Sequence, residues 1–174
     1  MVSTTFTHLS NEKQTKIRQA LLKEFSEQPL AIAQVAPIVK TAGIARGAFY
    51  KYFDDLIDAY KYLYGIAMQD IHSDIHNKAS GQLDPQFYLN QVEAFVKGAQ
   101  DSQYFGLIKM HLMKNESLVS QDNVDPTTVS SQEWATMILC HEAIKEIVIN
   151  PKEQPIVMQR LAEALNLLAG KGKK

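Results

Sequence analysis

Three groupings in the sequence bring together side chains capable of chemistry. The first is Asp70-x-His72-x-Asp74-x-His76. His72 and His76 stand four apart, so they share one helical face at the spacing of two zinc ligands. No Glu adjoins them as in an HExxH pair and the sequence offers no third ligand. The expectation is therefore a polar helix face and no bound metal. The second grouping, Cys140-His141-Glu142, holds neighbours that point different ways on a helix, which predicts core and surface positions and no catalytic set. There is no Gly-x-Ser-x-Gly elbow, no phosphate-cradling Gly loop and no carboxylate pair with a mechanism, so neither enzyme activity nor a cofactor is expected. The third grouping is Lys40, Arg46, Tyr50 and Lys51. Between Ala36 and Phe53 the charged residues are all cations. Arg binds guanine O6 and N7 bidentately, and Lys and Tyr bond phosphate oxygens. The chemistry is recognition of duplex DNA; the alternative is a solvated basic face.

The elements that must position this third grouping are legible around it. Ile38 to Phe53 reads IVKTAGIARGAFYKYF. Gly43 breaks the run, since Gly takes φ > 0 at little cost and ends one helix while aiming the next. Ile44 is expected to pack under the corner. Ala45 to Phe53 predicts a short second helix with Ala45, Ala48, Phe49, Tyr52 and Phe53 on one face and Arg46, Gly47, Tyr50 and Lys51 on the other. Two short helices through a Gly turn make a helix-turn-helix, whose second helix can lie in the major groove. Gly47 removes a side chain where that helix would meet the DNA backbone.

This stretch resembles the DNA-binding signature of the TetR (tetracycline repressor) family of bacterial regulators. The resemblance rests on Ala42-Gly43-Ile44, then Arg46-Gly47-Ala48-Phe49-Tyr50, then Tyr52-Phe53. It implies a DNA-binding surface of Arg46, Gly47, Ala48, Tyr50, Lys51 and Tyr52, with Lys40. Arg46 would contact a base or a close phosphate, and Tyr50 and Lys51 phosphates. Lys13, Thr15 and Lys16 would lie near the DNA backbone at the start of the bracing helix. It further implies a long connecting helix that transmits binding of an unknown small-molecule effector. The last two helices would pair with their copies in a homodimer, Leu161, Leu165, Leu168, Trp134 and Ile138 being candidates. Two heads ~34 Å apart read two half-sites, so the operator would be near-palindromic. The implied function is a ligand-responsive repressor. The chain departs from the family pattern at Ala45, where Ser or Thr is usual, at Leu56, where Lys is frequent, and over Val35 to Pro37. These departures define the alternative, a helical partner-binding adaptor or co-activator that has lost specific DNA docking.

The rest of the chain predicts a body for this head. The 174 residues are 45% hydrophobic, enough for a core, and no apolar run reaches the ~20 residues that span a bilayer. Met1 to Ser10 has neither the charged nor the apolar region of a secretory leader, and is expected to be a loose arm. A single Cys140 excludes an internal disulfide and fits a reducing cytoplasm. Net charge is −1, but residues 1–55 carry seven cations against five anions, leaving an excess of three anions beyond them. The expected fold is all-α: a three-helix head over residues 1–54 and a larger helical bundle over 55–174 for ligand binding and dimerisation. Helical spacing predicts helices from Ser10 or Asn11 to Ser26, from between Ala33 and Ala36, from Leu56 to Ala79, from Gln86 to Gln100, from Ser102 to Asn115, from Ser130 to Asn150 and from Glu153 to Ala169. Glu116 to Thr128 reads as a loop and the terminal lysines as a frayed tail. Candidate pocket residues in the body are Phe95, Tyr104, Phe105, His111 and Trp134, although aromatic side chains at helical spacing are more often core.

Overall fold

In the computed structural model the described residues are 2–72, 83–119 and 129–170, and they are all-helical, with no strand among them. Asp74 and His76, the rest of the expected long helix to Ala79, most of the expected loop and the lysine tail lie outside the described residues. The helices are α1 (Thr4–Thr7), α2 (Asn11–Glu27), α3 (Val35–Ala42), α4 (Arg46–Tyr52), α5 (Leu56–His72), α6 (Pro85–Asp101), α7 (Phe105–Met110), α8 (Ser131–Ile149) and α9 (Gln154–Leu168). No helix among them is long and apolar enough to cross a membrane.

Most helix starts follow from a side chain that takes up an orphan backbone N–H. The Ser10 hydroxyl accepts from Lys13 N–H at the head of α2. Asp55 does so for Asp58 at 2.7 Å before α5, and Asp84 for Gln86 before α6, where Pro85 sits in the first turn. Ser130 and Glu133 form a reciprocal capping box on α8. Residues 2–8 depart from the expected loose arm. They hold the one-turn α1, with Phe6 1% exposed. The predicted helix from Ser102 to Asn115 is also different. Ser102 is spent closing α6, its N–H and hydroxyl both on the Ala99 carbonyl, so α7 starts only at Phe105. After Met110 the backbone widens into a π turn, His111–Asn115, and tightens into a 3₁₀ turn, Glu116–Leu118, where a loop was expected. The π turn carries two buried polar side chains that reach other elements. His111 Nδ1 is 3.0 Å from Tyr60 Oη, and Asn115 Oδ1 accepts from Leu30 N–H at 2.9 Å.

The described chain divides into two compact units, residues 1–70 with 103–120, and residues 71–102 with 121–174. The expected head of residues 1–54 lies inside the first, which also includes 56–70 and α7. Its core joins Ile17, Leu21 and Phe25 of α2, Ile38 of α3, Phe49 and Phe53 around α4, Tyr60 and Leu63 of α5, and Leu107 and Ile108 of α7, each at most 1% exposed. Burial pushes the Tyr60 hydroxyl up to about 12 and raises Tyr64 further, so both stay protonated as they stack on His111.

The second unit packs α6, α8 and α9 around Val92, Val96, Ala143, Ile147, Val157, Leu161 and Leu165. Gln132 Nε2 donates to the Leu168 carbonyl at 2.7 Å, and Arg160 pairs with Glu146. Leu161 and Leu165 were candidates for an intersubunit seam. They are 4% and 0% exposed because they fill this core instead. Trp134, Met137 and Ile138 face outward, 60%, 45% and 53% exposed. Positions three and four apart on α8 thus form an apolar face on the outside of the unit.

Candidate nucleic-acid interface

The two short helices owe their relation to one residue. Gly43 adopts φ 66° and ψ 36°, the left-handed region. Its N–H donates to the Lys40 carbonyl, and Ile44 N–H donates to the Val39 carbonyl at 3.0 Å, which closes α3 in a Schellman turn. Nothing lies within 4 Å of a Cβ placed at Gly43, so the backbone angle and not crowding demands glycine here. The entry to α3 is held from α2, where the buried Glu24 carboxylate accepts from Gln34 N–H at 2.9 Å. Ile44 is half-buried under the corner.

Helix α4 has two unlike sides. Phe49 is fully buried and Phe53, which follows its last turn, is 1% exposed. Their rings lie 5.4 Å apart and Phe53 meets Tyr62 of α5 at 5.7 Å. These contacts fix the helix to the unit. On the other side Arg46, Gly47, Tyr50 and Lys51 are exposed, and Ala48 and Tyr52 are half-buried. The Arg46 guanidinium stands 6.0 Å from the centre of the Tyr50 ring, one turn away. That contact holds the cation over an aromatic face at the edge of cation–π range. Ala45 is extended, at φ −70° and ψ 148°, and offers no side-chain cap. It therefore precedes the helix and is exposed, where the sequence placed it on the buried face.

Around α4 the expected cations are also at the surface. Lys40 is exposed in the last turn of α3 and Lys13 in the first turn of α2. Thr15 and Lys16 are exposed as well, and Lys16 holds Glu12 at 2.7 Å. Nothing among the described residues lies within 4 Å of a Cβ placed at Gly47, so the chain's own packing leaves room for a side chain there. Sequence reasoning missed two residues that bear on α4. The Ser3 hydroxyl donates to the Lys51 carbonyl, and Phe6 packs against Tyr52, Phe53 and Tyr62. A Ser followed by Thr-Thr-Phe has the pattern of a helix cap, but nothing local names its distant partners.

The expected pocket residues divide between the units. Tyr104 and His111 are buried and Phe105 half-buried in the first, while Phe95 is half-buried and Trp134 exposed in the second. No group of three or more potential metal ligands occurs among the described residues. Burial pushes the Cys140 thiol up to about 11, which keeps it protonated and unreactive at neutral pH.

A family model described as bacterial regulatory proteins, tetR family, matches residues 17–55, the span from the middle of α2 to the cap of α5. The matched span carries a TetR-family head. Its fold is similar to that of a TetR family transcriptional regulator from Chloroflexus aurantiacus J-10-FL, at TM-score 0.59 and 17% identity over 98% of this chain and 97% of that one. A TetR transcriptional regulator from Rhodococcus sp. RHA1 aligns at TM-score 0.43 and 14% identity, over 94% of this chain and 100% of that one. No curated protein matches the chain. Within the TetR-family head, α3 and α4 are the helix-turn-helix, and the all-α architecture expected from the sequence is the one found.

Proposed function

We propose that the chain is a ligand-responsive transcriptional repressor that binds a near-palindromic operator as a homodimer in the cytoplasm. The observation that carries this reading is the division of α4. One side is sealed into the unit by Phe49, and the other presents Arg46, Tyr50 and Lys51 beside a glycine that the fold itself does not need. A glycine inside a helix costs roughly 0.5–1 kcal/mol relative to alanine. With open space around it, that cost has no return inside the chain; close approach of a duplex backbone to Gly47 and Ala48 supplies one. Arg46 reads a base edge or a close phosphate, Tyr50, Lys51 and Tyr52 bond phosphates, and Lys40 and Lys13 extend the cationic track.

The homodimer rests on the outward apolar face of α8. Trp134, Met137 and Ile138 lie together on one exposed stripe, as a surface does that a second copy covers. Residues 1–54 act as the DNA-binding part and 55–174 as the regulatory part. An effector, a small molecule of unknown identity, shifts the dimer between two head spacings only if it binds one of them more tightly. No role in this requires an enzyme, a metal or a membrane.

Selection of duplexes from a random pool by the full chain tests the reading. The expected result is an enriched sequence with two half-sites related by a two-fold, about one helical turn or ~34 Å apart. Affinity for it should fall steeply with salt as released counterions are restored. Enrichment of no sequence, together with salt-insensitive binding of a protein partner, would establish the adaptor instead.

A further inference from the structure

Helix α4 is seven residues long, too short to hold itself in water, so its direction is set by what grips its two ends. The Gly43 turn grips the first. At the other end Lys51 and Tyr52 have carbonyls beyond the reach of the helix's own N–H groups. Both are taken up by one residue 48 and 49 positions earlier: Ser3 Oγ donates to the Lys51 carbonyl at 2.6 Å and Ser3 N–H to the Tyr52 carbonyl at 3.1 Å. The same hydroxyl accepts from Phe6 N–H at 3.3 Å and so caps α1. Phe6 then drives its buried ring into the corner, 5.7 Å from Tyr52, 5.2 Å from Phe53 and 5.2 Å from Tyr62 of α5. The far side of α1 is tied to α2, where Gln14 Nε2 donates to the Thr7 and Leu9 carbonyls at 3.2 and 3.0 Å.

We propose that Ser3 and Phe6 are positioning residues for DNA recognition: a clamp from the start of the chain that fixes the C-terminal end of α4 and, with it, the angle at which Tyr50 and Lys51 are presented. The proposal rests on the DNA-binding reading above. Neither residue touches DNA in it. Loss of the Ser3 hydroxyl releases the Lys51 carbonyl and leaves only the N–H bond to Tyr52, and the last turn of α4 frays while Arg46, at the Gly43 end, stays in place. Tyr50 and Lys51 lie in that turn, so phosphate contacts are lost before base contacts.

The test uses the full chain with Ser3→Ala and Ser3→Thr, read in two ways. Without DNA, amide hydrogen exchange is followed at residues 49–53. With DNA, affinity is measured for a duplex that the unsubstituted chain enriches from a random pool. Ser3→Ala should speed exchange across 49–53 by about 2- to 10-fold, the weight of one hydrogen bond. It should weaken the duplex by a similar factor, with exchange in α8 and α9 unchanged and the melting temperature lowered by no more than about 2–4 °C. Ser3→Thr keeps the hydroxyl and should restore both readings, which a general loss of stability would not allow. Unchanged exchange at 49–53 in Ser3→Ala, or weakened binding that Ser3→Thr does not rescue, overturns the proposal. If the unsubstituted chain enriches no duplex while the exchange effect is present, the clamp stands as structure, and the DNA reading and the clamp's part in it both fall.

Discussion

Helices α4 and α8 both leave a large part of their surface uncovered, and they do so with opposite chemistry. On α4 the uncovered side is Arg46, Gly47, Tyr50 and Lys51. On α8 it is Trp134, Met137 and Ile138. Cations and hydroxyls stay solvated until an anion replaces their water, so a surface of the first kind costs nothing while it waits. Exposed indole and aliphatic surface is unfavourable at every moment it meets water, by roughly 25 cal/mol per Å². The first is therefore suited to a partner that comes and goes, and the second to one that stays. A regulator that releases its operator but remains assembled needs one surface of each kind.

The sharpest way to break this contrast is to put charge on the α8 stripe. Sedimentation should find two chains together for the unsubstituted protein and a single chain for the double variant Trp134→Glu with Ile138→Glu. Both positions are more than half exposed, so the fold of each chain should survive. Affinity for a two-half-site duplex should drop by at least about 100-fold as the linkage between heads is lost. Affinity for an isolated half-site should not change. A double variant that still sediments as two chains would move the interface elsewhere.

On α4 the next largest effect is expected from Arg46→Ala. If Arg46 reads a base edge, it should cost about 1–3 kcal/mol of specific binding and relax the preference at one position of each half-site. The side chain is exposed and stands at the edge of the Tyr50 ring, so thermal unfolding should be little affected. A uniform loss across all sequences, with a shallower salt dependence, would reassign Arg46 to phosphate.

Gly47→Ala separates folding from binding by sign. Replacing a helical glycine that has space around it should stabilise the chain by roughly 0.5–1 kcal/mol. The same methyl should weaken DNA binding, because on the proposed reading it stands where the helix approaches the duplex. Guanidinium melts and duplex titrations on the one variant should therefore move in opposite directions. If both improve, the duplex does not approach α4 at Gly47.

What was legible in the sequence and what was not follow the reach of the forces involved. Ser10, Asp55 and Ser130 mark helix starts because a cap bonds an amide two or three residues away. Gly43 is legible because a backbone angle is a property of one residue. The small helix α1 was invisible, since its partners are the carbonyls of Lys51 and Tyr52 and the rings of α4 and α5. The π turn was equally hidden, because Asn115 bonds Leu30 across 85 positions. The apolar residues of α8 and α9 were recognisable as such. Which of them the unit would bury, Leu161 and Leu165, and which it would leave outside, Trp134 and Ile138, depends on packing that no periodicity encodes.

The smallest expected effect links the outward stripe of α8 to its own first turn. Glu133 accepts from Ser130 N–H at 2.9 Å and from the Ser130 hydroxyl at 2.7 Å, and these bonds hold its carboxyl below the usual carboxylate range. A lowered folded-state value means that the unfolded chain takes up the proton first as pH falls. The contribution is present above the ordinary value of 4.5 and is lost as pH drops through the folded one. Glu133→Gln keeps a side chain able to complete the capping box but removes the titration. Its melting temperature should run parallel to that of the unsubstituted chain at neutral pH and fall less below pH 4.5. Trp134 is the next residue along, so the fluorescence of this single indole reports the same turn. If the acid dependence of the two proteins is identical, the box either forms without help from the charge or forms equally well when the carboxyl is protonated.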